Sequence, residues 1–125
     1  MTGQDLVGQS YEPVFTLENT DLPSTLYKIW PAEFVSIDDG TGVLHVAPAF
    51  GEDDLALGQA NNIPVLQTVD TEGKIKSGIG LDGFEGKFFK GADAMIVEHL
   101  TQKGSIYAAE KLEHTYPFCY RCDTP

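Results

Sequence analysis

Basic residues are scarce in this chain. Lys and Arg together number 8 against 19 Asp and Glu, the formal net charge is −11 at pH 7, and Arg121 is the single arginine. Proteins that bind nucleic acids through the phosphate backbone need clustered Lys and Arg to displace counterions. We therefore expect the chain alone to bind nucleic acid poorly. If it acts on a nucleic acid, another part of the protein must hold the polymer.

Long apolar runs, a leader sequence and a cysteine framework are also missing. The longest apolar stretch, around residues 43–50, is far shorter than the ~20 apolar residues of a membrane span. Residues 1–10 have no basic start followed by an apolar stretch, so no signal peptide is predicted. We expect a cytoplasmic, monomeric protein without membrane contact, in which Cys119 and Cys122 remain reduced thiols.

The remaining composition favours one ordered domain. The chain has 125 residues, is 42% hydrophobic and contains 13 Gly and 7 Pro, which allows a real core and is typical of a turn-rich fold. We predict a single domain over residues 1–125, of the α/β class and rich in β-structure. Helices are predicted from residue 52 to about 61 and from residue 92 to just before Gly104. Strands are predicted at residues 27–30, 33–37, 43–47, 63–69, 74–79, 105–110 and 112–116, with hairpin turns at 38–40 and 70–73.

The most informative segment is residues 40–54, which joins a tight turn, a short strand and an acidic helix start. Pro48 ends the strand because it lacks a backbone donor, and Gly51 lets the chain turn before the helix. Side-chain alternation places His45 and Ala47 on the same face of the strand. The segment can therefore bring one imidazole and several carboxylates to the rim of a single pocket.

His45 has two possible roles. Alternation turns it away from its most hydrophobic neighbours, Leu44 and Val46, so it could be a histidine satisfied by one local hydrogen bond on a half-buried face. It could instead line a pocket floored by small residues such as Ala47 and Ala49. The residues alone leave both interpretations open.

Asp54 lies nine residues after His45, in the first turn of the predicted helix. One possible role is electrostatic, because a carboxylate near a helix start contributes about 0.3–1 kcal/mol at an exposed site. Glu52, Asp53 and Asp54 are nevertheless three consecutive carboxylates, more than capping needs. A carboxylate that faces a pocket could instead hold a substrate ammonium group through a charge-assisted hydrogen bond.

The two cysteines have the spacing of half a zinc site. A structural zinc site needs four ligands, and beyond Cys119 and Cys122 the sequence offers only His114 nearby. No metal site is therefore predicted, and the cysteines are either reduced structural residues or half of a site completed elsewhere. The glycines of residues 78–86 do not match a phosphate loop, which needs a strand before it and a helix directly after it.

Residues 40–54 resemble the signature of the editing domain that is inserted into class I aminoacyl-tRNA synthetases for branched aliphatic amino acids. His45 followed by residues 47–54 is typical of the isoleucyl type, whereas the valyl type usually has lysine at this position and the leucyl type differs on both sides of Pro48. Residues 114–125 resemble the segment that leads the isoleucyl chain back to its synthetic core. The likeness runs along nearly the whole chain, from residues 6–15 onward.

This resemblance implies a small β-barrel with peripheral helices, forming part of the editing domain of a larger synthetase. Such a domain hydrolyses the ester of valyl-tRNA that was charged on the isoleucine acceptor and excludes isoleucine by size, because one methylene gives a synthetic pocket only about 1–3 kcal/mol of selectivity. By the resemblance, Asp54 anchors the α-amino group and His45 lies near the side chain and the terminal ribose. The substrate-binding residues would be Gly40, Thr41, Gly42, His45, Ala47, Pro48, Ala49, Phe50, Asp53 and Asp54.

The resemblance also implies the partners and cofactors. Water attacks the ester without a protein nucleophile or a metal, and ATP and Mg²⁺ belong to a synthetic site whose signatures are absent from this sequence. The partner would be the terminal adenosine of mischarged tRNA, presented by the rest of the synthetase. The family's threonine-rich strand, which completes the pocket, is expected upstream of residue 1. Alternatives are a module that binds the amino acid or adenosine without turnover, a valyl or leucyl editing domain, and a zinc-stabilised structural domain.

Overall fold

The computed structural model describes residues 2–17, 21–38, 41–80, 83–110 and 118–122. These residues contain a short 3-10 turn, Gly3–Asp5, and two α-helices, α1 (Glu52–Asn61) and α2 (Phe89–Gln102). The chain divides into two compact units, Met1–Asp93 and Ala94–Pro125. Within the described ranges, neither helix is long and apolar enough to cross a membrane.

Helix α1 begins and ends where the sequence predicts. Gly51 precedes it with an extended backbone (φ −126°, ψ 141°), and the carboxylates of its first turn lie at the positive end of the helix dipole. Asn62 ends it in the left-handed conformation (φ 55°, ψ 38°), which Asn tolerates better than most residues. Gly58 is the buried position, and a Cβ there would lie 3.1 Å from Pro48 Cγ, so the turn after residue 47 packs closely on this helix.

Helix α2 is also confirmed, although it begins three residues earlier than predicted. The backbone N–H of Phe89 donates to the carbonyl of Gly73 (3.0 Å), which ties the helix start to the preceding turn. Ala92 is completely buried. At the other end, Gly104 lies in the left-handed region (φ 71°) and the N–H of Ser105 donates to the Leu100 carbonyl (2.9 Å). Gly104 therefore ends the helix as predicted.

The turn predicted at residues 70–73 is present. Asp70 accepts the backbone N–H groups of Glu72 (2.8 Å) and Lys74 (2.9 Å). The bond from Lys74, followed by that from Glu72, holds the pKa of the Asp70 carboxyl below its ordinary value. Val69 pairs with Ile75 in a single antiparallel bridge, so the turn forms without a ladder beyond it.

The predicted β-barrel is wrong for the part of the chain that the structure describes. No strand forms there, and β-pairing is limited to three isolated bridges, Ser10–Lys28, Val69–Ile75 and Lys74–Phe88. Alternation predicts only that a segment is extended, whereas a strand also requires a second segment to pair its N–H and C=O groups. Residues 43–47 lack such a partner among the described residues. The predicted strand at 112–116 and the turn residues 39 and 40 lie outside them.

The buried core is small in consequence. Ile75, Phe84 and Ala92 are the buried hydrophobic residues of the described ranges. Without a closed sheet to cover them, large apolar side chains remain exposed, among them Ile37 (84%) and Val43 (67%). Ile37 and Val43 both line an apolar groove on the unit Met1–Asp93.

Candidate functional site

An apolar groove of about 600 Å³ opens on the surface of the unit Met1–Asp93. Residues 25–32 form one wall and residues 42–46 form another. The volume lies within the ~300–1,000 Å³ range of small-molecule sites. Further lining residues are Gly3, Gln4, Leu6, Val7, Tyr11, Val35, Ile37 and Ile63.

The wall at residues 25–32 is held by backbone bonds to residues 8–11. The N–H of Gly8 donates to the Ile29 carbonyl (2.9 Å), the N–H of Ile29 donates to the Gln9 carbonyl (2.9 Å), and the N–H of Tyr11 donates to the Tyr27 carbonyl (2.9 Å). These three bonds hold the two segments side by side without forming a strand ladder. The wall is therefore fixed by backbone pairing rather than by a buried core.

Three aromatic side chains, Tyr11, Tyr27 and Trp30, line this side of the groove, and we call them the aromatic wall. The rings of Tyr11 and Tyr27 meet edge to face, with centroids 6.0 Å apart and an interplanar angle of 72°. The indole N–H of Trp30 donates to the Thr25 carbonyl (3.2 Å), and the Lys28 ammonium lies 5.9 Å from the Trp30 ring centroid. Each ring thus has a neighbour that fixes its orientation.

Tyr27 has a backbone conformation that is unusual for a bulky residue. Its φ of 54° lies in the left-handed region, which costs a non-glycine residue on the order of 1–3 kcal/mol. Burial, followed by the neighbouring Tyr11, raises the pKa of its phenol, so the hydroxyl remains a protonated donor near neutral pH. Such backbone strain is commonly found where a side chain must be held at a binding surface.

His45 lies on the opposite wall of the groove, where its side chain is exposed. The consecutive residues Val43, Leu44 and Val46 line the groove with it. The placement of His45 and Ala47 on the same face, which side-chain alternation predicts, stays a prediction.

Asp54 does not line the groove, but it is bonded to the segment that carries His45. Its Oδ2 accepts the backbone N–H of Ala47 at 3.0 Å, and its side chain is half-buried. A Cβ on Gly51 would lie 2.8 Å from the same oxygen, so this carboxylate position depends on glycine at residue 51. An ionised carboxylate offers about four acceptor sites. The bond from Ala47 therefore leaves capacity for an ammonium group.

The other predicted site residues lie either near the groove or at the start of helix α1. The Thr41 hydroxyl accepts the N–H of Val43 (3.3 Å) and donates to its carbonyl (3.2 Å), and Gly42, with φ 74°, lines the groove. Gly40 lies outside the described residues. The remaining members lie in the turn and first turn of α1: Ala47, Pro48 and Ala49 are half-buried, and Phe50 and Asp53 are exposed.

The aromatic wall was missed by sequence reasoning. Residues 27–30 were predicted as a strand, and their density of aromatic side chains was the signal that could have marked a binding surface. Cys119 and Cys122 are exposed thiols, and His114 lies outside the described residues. Within the described ranges, no three metal-binding side chains come together.

Curated relatives align with nearly the whole chain. It is 40% identical over 123 residues to an isoleucine–tRNA ligase of Clostridium acetobutylicum, 40% identical over 123 residues to one of Bacillus thuringiensis, and 39% identical over 124 residues to one of Chlamydia pneumoniae. These alignments cover 98–99% of this chain and 11–12% of each relative. No family model matches the chain.

These relatives are aminoacyl-tRNA ligases, and the chain is homologous to that class of enzyme. Within the class, the chain is homologous to a segment of isoleucine–tRNA ligases, and it spans about 12% of the length of the curated relatives it matches. The isoleucyl resemblance of residues 40–54 is thereby confirmed.

Proposed function

We propose that the chain forms part of an editing site that hydrolyses the ester of valyl-tRNA charged on the isoleucine acceptor. The observation that supports this most directly is the bond from Ala47 N–H to Asp54 Oδ2. It joins the carboxylate of α1 to the extended segment that places His45 on the groove. An imidazole on an apolar groove and a carboxylate bonded to Ala47, two residues further along the same segment, suit a small amino acid attached to a ribose.

In this proposal Asp54 anchors the α-amino group of the valyl moiety. A carboxylate bonds an ammonium group about twice as strongly as a neutral acceptor does, and it fixes the direction of approach. His45 lies beside the amino acid side chain and the terminal ribose, where it excludes isoleucine by size. Water attacks the ester carbonyl directly, so editing needs no protein nucleophile and no cofactor. ATP and Mg²⁺ would serve the synthetic site of the longer protein.

The partner would be the terminal adenosine of mischarged tRNA. The net charge of −11 opposes binding of the phosphate backbone, so the rest of the synthetase would have to hold the tRNA. We expect negligible binding of free tRNA by the 125-residue chain in a gel-shift assay. Tight, salt-sensitive binding would contradict this part of the proposal.

Asp54→Asn tests the proposal in the full-length synthetase, with deacylation of valyl-tRNA as the measurement. Asparagine keeps an oxygen that accepts the Ala47 N–H but removes the charge that would hold the ammonium group. We expect deacylation to fall on the order of 10- to 100-fold, the equivalent of a charged hydrogen bond of about 1.5–3 kcal/mol. Glu52→Gln is the matched control, because Glu52 lies in the same helical turn but is exposed. Wild-type deacylation by Asp54→Asn would show that this carboxylate has only a structural role.

A binding module without turnover is the second candidate. The position of Asp54 outside the groove lining favours it, because the bond to Ala47 is then sufficient to explain this carboxylate. Binding of a non-hydrolysable valyl-adenosine analogue, measured alongside hydrolysis of the ester, separates the two functions. Binding without hydrolysis in the full-length protein would favour the module.

A further inference from the structure

Half of the basic residues of the chain lie in two short segments that pair with each other. Residues 74–76 and 86–90 hold four of the 8 Lys and Arg of a chain whose net charge is −11, and they contain no Asp or Glu. We call the four side chains the lysine surface: Lys74, Lys76, Lys87 and Lys90. The positive charge of the chain is therefore concentrated at one place, against an acidic remainder.

Backbone bonds hold the two segments together. The N–H of Ile75 donates to the Lys87 carbonyl (2.9 Å), and the N–H of Gly86 donates to the Ile75 carbonyl (2.8 Å). Lys74 and Phe88 form an antiparallel bridge beside these bonds. Ile75 is buried, whereas all four lysines are exposed. The lysine surface is thus displayed on a paired backbone that a buried side chain anchors.

Lys76 and Lys87 have no carboxylate partner among the described residues. The Lys74 ammonium pairs with Glu72 (2.5 Å), whereas neither of the other two forms an ion pair with a described side chain. Lys76 interacts electrostatically with Asp70, whose carboxylate already accepts two backbone N–H groups of its own turn. Binding of an external anion at Lys76 and Lys87 therefore breaks no internal ion pair.

Clustered ammonium groups of this kind suit the phosphates of a nucleic acid duplex. Each lysine that meets a phosphate releases condensed counterions, and the contact does not depend on base sequence. A single strand is instead held largely by aromatic rings that stack with its bases. The ring of Phe88, the residue paired with Lys74, packs against the ring of Phe89 with centroids 4.8 Å apart. Charge rather than stacking is therefore the main feature of this surface.

We infer that the lysine surface contacts phosphates of the double-stranded stem next to the 3′ end of tRNA. This inference rests on the proposed function, in which the longer protein presents a mischarged tRNA. It goes further by assigning a part of the tRNA other than its terminal adenosine to residues outside the groove lining and outside segment 40–54. The net charge of −11 still opposes binding by the chain alone. A stem that the rest of the protein already holds meets the surface at a high effective concentration.

Lys76→Gln combined with Lys87→Gln tests this contact in the full-length synthetase, with tRNA affinity measured over a series of salt concentrations. Each lost phosphate contact should reduce the slope of log K against log salt by about 1. The double variant should bind tRNA on the order of tenfold more weakly at about 0.1 M salt. Lys76→Arg combined with Lys87→Arg keeps both charges and should retain the wild-type slope. An unchanged slope in the glutamine variant would overturn the inference.

Glu72→Gln is a test of opposite sign. It removes the partner of Lys74 and so leaves that ammonium group available to a phosphate. Binding of tRNA should become several-fold tighter and the salt slope steeper by up to about 1. Glu98→Gln is the matched control, because it removes the same charge from an exposed position on α2, in the unit Ala94–Pro125. Equal effects of the two variants would show a change in net charge alone and would contradict a local contact.

A tRNA trimmed of its single-stranded 3′ end identifies which part of the RNA is bound. The loss of affinity caused by the glutamine double variant should persist with this trimmed tRNA, because the stem is intact. Disappearance of the difference would place the contact on the single strand and overturn the inference. Thermal unfolding of the full-length variant gives one more check. A lowered Tm with unchanged tRNA affinity would show that the lysines bind another part of the protein, which also overturns the inference.

The failure of this inference can be distinguished from the failure of the proposed function, because one is measured by tRNA binding and the other by deacylation. If Asp54→Asn abolishes deacylation but the glutamine double variant keeps the wild-type salt slope, editing stands and the stem contact does not. If the double variant reduces the slope while Asp54→Asn deacylates normally, the stem contact stands and the role of Asp54 in editing does not.

Discussion

Gly51→Ala should detach the Asp54 carboxylate from Ala47 without changing a charge. The backbone of Gly51 is extended (φ −126°), so alanine fits the conformation. Its Cβ, however, would lie 2.8 Å from Asp54 Oδ2, closer than such contacts occur, and 3.0 Å from Asp54 Cγ. The carboxylate must rotate away, and the 3.0 Å bond from Ala47 N–H is then lost.

The cost has two parts. Loss of a hydrogen bond to a charged, half-buried acceptor costs about 1.5–3 kcal/mol, less where water replaces the donor. Alanine before the helix also costs up to about 0.5 kcal/mol relative to glycine, which is the better N-cap residue. We expect a loss of about 1–3 kcal/mol in the free energy of unfolding, which corresponds to a shift of about 1 M in the urea midpoint for a chain of this size.

A double-mutant cycle isolates the contact. In the Asp54→Ala background no carboxylate remains to be displaced, so Gly51→Ala should cost only the capping difference of about 0.5 kcal/mol. Gly91→Ala is the control, and it should raise the free energy of unfolding. Its Cβ would meet nothing within 4 Å, and alanine favours a helix over glycine by up to about 1 kcal/mol. Equal costs for Gly51→Ala in both backgrounds would refute the proposed contact between Gly51 and Asp54.

Two further predictions concern the unit Met1–Asp93. Gly80→Ala should lower the free energy of unfolding in urea by about 2 kcal/mol or more, because its Cβ would lie 1.7 Å from the Thr16 carbonyl oxygen. Gly78→Ala is the control: its φ is similar but its Cβ would meet nothing within 4 Å, so it should cost only about 1 kcal/mol. Equal costs for the two variants would contradict the close approach of Gly80 to Thr16. Asp70 has a lowered pKa in the folded chain, so its stabilising effect is complete above its ordinary pKa of 3.8 and is lost as the pH falls through the folded value. NMR titration should show this lowered pKa, and Asp70→Asn should flatten the acid limb of stability against pH; an unshifted Asp70 titration would count against the turn geometry.

The accuracy of the sequence predictions follows from how local each signal is. The start of helix α1 was predicted at its observed residue because Pro48, Gly51 and the acidic first turn lie within one short segment. The turn at residues 70–73 is equally local, since Asp70 bonds residues two and four positions away. Strand pairing is not local, and the extended segments of this chain found only isolated bridges. The barrel prediction failed at that step, and also in the assignment of extended residues, since Tyr27 has a left-handed backbone and residues 33–34 and 77–78 lie in turns.

The same distinction explains the candidate site. Residues 40–54 could be singled out because their turn, proline and carboxylates follow one another in sequence. The groove, in contrast, brings residues 42–46 beside residues 25–32, and nothing in either segment specifies the other. Contacts between distant segments therefore limited the prediction of the site as they limited that of the fold.

Because Ala47 N–H bonds the Asp54 carboxylate, the effects of that group's position and of its charge on the proposed editing can be tested by separate variants. Gly51→Ala keeps the carboxylate charge but displaces the group, whereas Asp54→Asn keeps an acceptor for Ala47 but removes the charge. If deacylation in the full-length protein depends on an ammonium anchor held in place, both variants should impair it. If the carboxylate only fixes the segment that carries His45, Gly51→Ala alone should do so, since asparagine preserves that bond. Comparison of the two variants thus distinguishes a carboxylate that binds the substrate from one that positions the imidazole.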